Sequence, residues 1–439
     1  MYGRSIVKWV WLVLILVLVS CSASAPAAQD AAGGEKVTIR MWSHQNSAFN
    51  KVNQELIDQF MKENPNIEVK YETFPYDQFI QTLQTSMPAG TEADVIEMFG
   101  SWVCNYAEGG RLQEAPADVM SYAEAEKIYF KAPLDGYYCD GKLYGMPNEF
   151  NLEYGGALVN PVLYEKAGIP FPPAYKDYNA LITDAKKMTA VDNGAMSVAG
   201  FHFSGGDALG FILMSGILEQ GGNYFADDGQ HFNFNSPESL NVIRTLTRYA
   251  QEDKVIDPVL FGGDNGLPGA FFNGQVGIGY IGSWAAGVGK VDYPDVKFDY
   301  VTLPPMFGSE YKFVADAGWG KVVSVNTKHS AEAWKLQKYL TANRDNALKF
   351  NQISGTIPAM KELVENPSEI LAVEPWIQAT FALLPHGSYL GNVTDRDQLF
   401  YEIIAKNLTD ALTGTVTPEE AAAKINDEAN AMVDAKLGK

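Results

Sequence analysis

The chain has 439 residues, of which 46% are hydrophobic and 20% charged, with a formal charge of −20. That length exceeds one ordinary hydrophobic core and predicts two lobes. The acidic balance excludes the basic footprint of a nucleic-acid binder. Aromatic residues are abundant (23 Phe, 22 Tyr, 8 Trp), so some rings are expected to face a ligand or a partner.

Arg4 and Lys8 precede an apolar run from Trp9 to Val19, which is too short for a bilayer roughly 30 Å thick. A basic start followed by a short apolar run is the pattern of an export signal. Its end, Leu18-Val19-Ser20-Cys21, resembles a bacterial lipobox. That resemblance implies cleavage before Cys21 and lipidation of its thiol, which would hold the protein at a membrane. A plain secretory signal cut near Ala25-Pro26-Ala27 is the alternative. Residues 1–20 therefore read as a signal peptide. Residues 21–35 read as the lipidated cysteine and a flexible tether of small polar residues. Loss of Arg4 and Lys8 with the signal leaves a charge of about −22.

The stretch from Lys36 to Trp42 alternates as a strand. Phe49, Val52, Leu56, Ile57 and Phe60 then form a helical stripe. IEVKYETF is a second strand, YDQFIQTLQTSMPAG a helix and ADVIEMF a short apolar strand. This rhythm belongs to a parallel α/β sheet. A zone rich in Gly and aromatics runs from Asp135 to Gly156, and a strand, GALVN, follows it. Helices are expected after Asn160, from the Ser236 cap with Pro237 at the first position, from the Ser330 cap, and from the Thr417 cap with Pro418. KFDYVTLPP and GKVVSVNT read as strands. No repeat and no composition shift marks a linker, which argues for lobes joined by several crossings.

FNGQVGIGYIGSW contains Gly277, Gly279 and Gly282 at the spacing of a dinucleotide fingerprint. Val276, Ile278, Tyr280 and Ile281 interleave them, so the glycines fall inside a strand and not at a strand-to-helix turn. Backbone bending, or close approach by another chain segment or a ligand, explains them better. No G-x-S-x-G, phosphate loop or H-E-x-x-H is present, and no two of the five histidines sit at i, i+4. Asp227-Asp228-Gly229 reads as a solvated turn. No carboxylate spacing singles out a glycosidase pair. Neither cofactor nor metal is expected. Beyond Cys21 two cysteines remain, Cys104 and Cys139; an exported protein could pair them, and the sequence leaves this open.

Five segments in order resemble the solute-binding proteins of bacterial ABC importers, the extracellular family 1 type that includes maltose-binding proteins. They are VTIRMWSHQN with NPNIEVKYE, GTEADVIEM, the run from GKLYGMPNEF to DAKKMT, FFNGQVGIGYIGSW, and GWGKVVSVNTKHSAEAWKLQKYLTA with SGTIPAMKEL. Two places depart from the family pattern: Leu158-Val159-Asn160, where a Tyr-Asn pair is usual, and Pro172-Pro173-Ala174-Tyr175, where Pro-Pro-x-Thr-Trp is usual. The resemblance implies an α/β, two-lobed periplasmic-binding-protein fold (type II-like), with a ligand cleft between lobes joined by hinge crossings. It places crossings near Asn148–Glu153, Gly279–Trp284 and Leu340–Arg344. The implied division is 36–150 and 282–342 for the first lobe, and 151–281 and 343–439 for the second.

Such a protein would be a binding protein and not an enzyme. It would act as a monomer, capture a carbohydrate (an oligosaccharide first of all) and deliver it to a membrane permease. A non-sugar polar solute (a polyol, a polyamine or a sugar phosphate) and a secreted glycosidase are the other readings. Sugars offer an apolar face to aromatic rings and hydroxyls to polar side chains, and sites of this kind gather at strand ends. The expected ligand residues are His44, Gln45 and Asn46 after the first strand, and Ser101 and Trp102 after the third. Glu149 and Asn151 in the first crossing join them, with Asp207, Trp284, Asp316 and Trp319. Trp284 and Trp319 are the leading aromatic platforms.

Overall fold

The computed structural model describes residues 36–203, 206–258, 260, 266–391 and 393–438. The signal, Cys21 and the tether lie outside the described residues. The chain opens with β1 (Val37–His44), α1 (Ser47–Glu63), β2 (Ile67–Phe74), α2 (Tyr76–Ala89), β3 (Val95–Phe99) and α3 (Gly100–Glu108). After β4 (Gly145–Pro147) come β5 (Gly156–Val159), β6 (Ala190–Asp192), β7 (Ala195–Phe203) and α4 (Asp207–Glu219). The later elements used below are β8 (Val276–Tyr280), α5 (Trp284–Asp292), β9 (Asp299–Thr302), β10 (Trp319–Val323), α6 (Arg344–Ser354) and α7 (Pro418–Leu437).

Two five-stranded sheets result. The first has the order β2-β1-β3-β10-β4, the second β9-β5-β8-β7-β6. In the first sheet β1 runs parallel to β2 and β3, as the strand-helix-strand rhythm predicts, while β10 enters antiparallel with Trp319 opposite Phe99. Each sheet has its own apolar core. Ile39, Val52, Leu56, Phe60, Val95 and Trp334 belong to the first core; Leu181, Phe201, Ile243, Ile278, Leu408 and Ile425 belong to the second. Two separate cores make a two-lobed α/β protein.

Pairing corrects the expected division. β9 bonds to β5 of the second sheet (Asp299 opposite Val159), so the chain does not stay with the first lobe from residue 282. A short strand sequence such as DYVT fits either sheet, and only the partner decides. The return comes at Asp316–Gly318, directly before β10. Helix α6 packs on α1, so the first lobe also keeps residues past 342. The last crossing therefore lies near Ile357–Pro358 and not at Leu340–Arg344. There it pairs antiparallel with Glu149–Phe150 of the first crossing. Helix α5 follows β8 and lies against α1 and α6, with Ser47 Oγ donating to Asp292 Oδ2 (2.7 Å).

Two of the three glycines of the apparent dinucleotide motif, Gly277 and Gly282, serve packing. A Cβ on Gly277 would sit 2.8 Å from Met188 Sδ and 2.9 Å from the Gly200 carbonyl. On Gly282 it would sit 2.5 Å from Glu153 Oε1 and 2.7 Å from Trp284 Cδ1. Cys104 and Cys139 are joined in a disulfide. Ser330 is the first residue of its helix and not its cap; its hydroxyl donates to Gln113 Oε1 (2.6 Å). Asp228 Oδ1 accepts the amides of Gln230 and His231, the hydrogen bonds of a polar turn.

One buried acid gives the second lobe a pH dependence. Glu219, at the end of α4, accepts on Oε2 from the Tyr154 hydroxyl (2.7 Å) and the Phe307 amide (2.8 Å). Burial pushes its carboxyl up to about 7 from an ordinary 4.5. A folded value above the unfolded one means that the folded state holds the proton more tightly. Stability from this group is complete below pH 4.5 and falls as the pH rises to 7. The loss is about 3 kcal/mol at 1.36 kcal/mol per unit. Relative to the parent, Glu219→Gln should therefore gain about 3 kcal/mol between pH 4.5 and pH 8 in urea unfolding. A constant difference across that range would show that Glu219 does not titrate there.

Candidate functional site

Strand β1 ends at His44 and hands over to α1 through Asn46. The Asn46 carboxamide oxygen accepts from the amides of Ala48 and Phe49, so this residue is the helix cap. Gln45 is exposed. His44 is buried: its Nδ1 lies 2.8 Å from Glu97 Oε1, and its ring stacks on Trp319 (4.1 Å between centroids). Trp319 also stacks on Phe99 (3.8 Å) and meets Trp102 edge-on (5.5 Å). Its indole is only 5% exposed and forms part of an aromatic wall in the first lobe.

Strand β3 ends at Phe99 and starts α3, whose first two amides bond to the carbonyls of Gly318 and Asp316. Ser101 is buried there, and its hydroxyl meets no hydrogen-bond partner among the described residues. Next to it, the first crossing carries Glu149 and Asn151. Glu149 Oε1 accepts the Trp319 amide (3.0 Å). Burial, with Asp316, Glu153 and Glu97 nearby, pushes the Glu149 carboxyl well above the usual carboxylate range. A neutral acid there can both donate and accept a hydrogen bond. Trp284, half-buried at the start of α5, donates from Nε1 to Glu153 Oε1 (2.8 Å); Glu153 Oε2 accepts the Gly282 amide (2.9 Å). Asp207 opens α4, and its side chain is outside the described ones.

A chain of polar contacts runs from the crossings to the rim. Asn151 Nδ2 donates to Asp316 Oδ1 (3.1 Å), and Arg396 Nη2 donates to Asp316 Oδ2 (3.3 Å). Arg396 Nη1 and Trp102 Nε1 both donate to Asp397 Oδ1 (3.1 Å each). Arg396 is fully buried, with its guanidinium 4.5 Å from the Phe400 ring centroid and 5.5 Å from that of Phe99. Trp102 and Phe99 belong to the first lobe, Arg396 and Asp397 to the second, so the lobes touch along this seam. Beside it lies a cavity of about 210 Å³ between α2 and α3 on one side and Asp395–Asp397 with Lys436 on the other. An adjoining opening of about 540 Å³ adds Asp77, Gln398, Tyr401 and Glu402.

Trp102 is the expected residue that lines this cavity. Glu149, Asn151 and Asp316 lie at the crossings beneath it. Arg396, Asp397 and Tyr401 are absent from the sequence-based set. Their one local signal is the motif Asp395-Arg396-Asp397 ahead of an apolar helix, and nothing in it announces that Arg396 reaches Asp316, 80 residues away.

A family model described as bacterial extracellular solute-binding protein matches residues 46–347. The chain belongs to that family. As an extracellular solute-binding protein it is exported, and it acts by binding and not by catalysis. Its relatives include the multiple sugar-binding protein of Streptococcus mutans, 23% identical over 411 residues (88% of this chain, 91% of that protein). The maltotriose-binding protein of Pyrococcus abyssi is 24% identical over 342 residues (76% and 69%). Among solved structures, an ABC substrate-binding protein from Listeria monocytogenes in complex with cycloalternan superposes with a TM-score of 0.77. It is 23% identical and covers 92% of this solute-binding protein and 100% of its own chain.

Proposed function

We propose that this solute-binding protein captures a carbohydrate, an oligosaccharide first of all, in the seam between its lobes and delivers it to an ABC permease. The observation that carries the reading is the polar chain Asn151–Asp316–Arg396–Asp397–Trp102, which joins both lobes beside an aromatic wall. Rings suit the apolar face of a sugar, and amides, carboxylates and a guanidinium suit its hydroxyls. The sugars named for the relatives support the same class. Gln45, Asn46, Asp207, Ser101, Glu149 and Asn151 stay in the proposed ligand set. Trp319 belongs to the aromatic wall, and His44 stacks on it. The mechanism is a population shift: a solute that touches both lobes favours the closed form, because the open form offers only part of those contacts. Lipid on Cys21 would keep the receptor at the membrane beside its permease.

A thermal-shift screen of the tether-free protein against sugars and polyols tests this. A solute at 100 times its dissociation constant adds about 2.7 kcal/mol of stability. No shift with any sugar or polyol would overturn the carbohydrate reading. A cationic solute is the second reading, favoured by Asp77, Asp395, Asp397 and Glu402 around the outer opening; a shift with spermidine alone would select it. Trp102→Ala and Trp284→Ala should each weaken sugar binding by roughly 1–3 kcal/mol in calorimetric titration. Unchanged affinity in Trp102→Ala would remove the seam as the binding place.

A further inference from the structure

Helix α3 supplies much of the first lobe's reach across the seam. Trp102 Nε1 donates to Asp397, and Asn105 Nδ2 donates to the Val393 carbonyl (3.5 Å). Yet α3 is weakly held as a helix. It has nine residues, no side-chain cap bond at Phe99, and an exposed end at Glu108–Gly110. A helix this short has little stability of its own. Its first two amides bond to the carbonyls of Gly318 and Asp316. Past the first turn, Asn105, Tyr106 and Ala107 are only half-buried.

Cys104 lies between the two seam donors, and its sulfur is bonded to Cys139. Cys139 sits in the small ribbon formed by Tyr138–Cys139 and Lys142–Leu143. That ribbon is anchored to the first lobe. The Ala115 amide donates to the Leu143 carbonyl, and the Tyr137 hydroxyl beside it donates to the carbonyls of Met98 and Gly318. We infer that the Cys104–Cys139 disulfide is a positioning element for solute binding. It fixes the rotation of α3, and through that the reach of Trp102 and Asn105 to the second lobe. The inference rests on the seam being the place of binding.

The test compares the oxidised parent with Cys104→Ala/Cys139→Ala. Without sugar, amide exchange over Val103–Glu108 should quicken at least about tenfold in the variant while β1 and β3 exchange as in the parent. With maltotriose as the probe, the variant should bind at least about tenfold more weakly. Adding Trp102→Ala to it should then cost less than about threefold, because the ring is already misplaced. Unchanged exchange in α3, or the same factor for Trp102→Ala in both backgrounds, would overturn the inference. If the double variant fails to fold, mild reduction of the folded parent gives the same exchange comparison. If the parent ignores maltotriose, the binding arm uses the sugar that stabilises the parent in the thermal-shift screen, and the exchange arm decides separately whether the disulfide holds α3.

Discussion

Lys321→Met is expected to destabilise the protein by about 3–5 kcal/mol, the usual loss when one partner of a buried ion pair is removed. The Lys321 side chain is fully buried, and its Nζ donates to Glu97 Oε2 (2.7 Å) and Asn148 Oδ1 (3.0 Å). Glu97 Oε2 also accepts from Asn53 (3.2 Å), and Oε1 contacts His44. Burial alone would raise the Glu97 carboxyl, but Lys321 and His44 more than offset it and hold the group at about 2. Methionine keeps most of the lysine stem, so the loss reports charge and hydrogen bonds and not volume. Glu97→Gln in the same chain should recover much of it. Acid provides a second reading of the same pair. The folded value is below the unfolded 4.5, so the stability is present above that pH and is lost as the pH falls toward 2. Guanidinium unfolding at pH 7 and pH 3 measures both effects. An unchanged midpoint at pH 7 would mean that the pair carries no stability.

Gly318→Ala should cost about 2–5 kcal/mol and abolish solute binding. Gly318 has φ +70°, and Ala317 before it has φ +72°, so the return to the first sheet turns through two left-handed residues. An alanine at 318 adds about 1–2 kcal/mol of backbone strain. Its Cβ would also lie 2.7 Å from Glu149 Cγ, 2.9 Å from the Glu149 carbonyl and 3.1 Å from the Asn151 amide nitrogen. Those are atoms of another crossing, and forcing them apart adds about 1–3 kcal/mol. Gly110→Ala is the control, with φ +65° and nothing within 4 Å of the added carbon. Equal losses in the two variants would show that strain, and not the contact with Glu149, sets the cost.

Much of the fold was legible because apolar periodicity is local. Residues 36–99 alternate and then repeat at helical spacing, and the strands and helices follow. Sheet membership is not local. The strand at Asp299–Thr302 is compatible with either lobe, and only its bonds to β5 assign it. Asn46 shows the limit at the site: a polar residue after a strand suits a ligand and a helix cap equally well, and here its oxygen is the cap. His44 and Trp319 were visible as chemistry, while their stacking on each other was not. Arg396 and Asp397 escaped because their partners are far away in sequence.

The insertion of β10 between β3 and β4 has a consequence for biogenesis. An interior position of the first sheet, between β3 and β4, is filled by residues 319–323, so a nascent chain cannot complete that sheet until most of it has left the ribosome. The second lobe waits longer, since Ile425, Ala429 and Val433 of α7 belong to its core. High contact order of this kind slows folding. A polypeptide that stays loose until its last helix is made is well suited to threading through a secretion channel before it closes up.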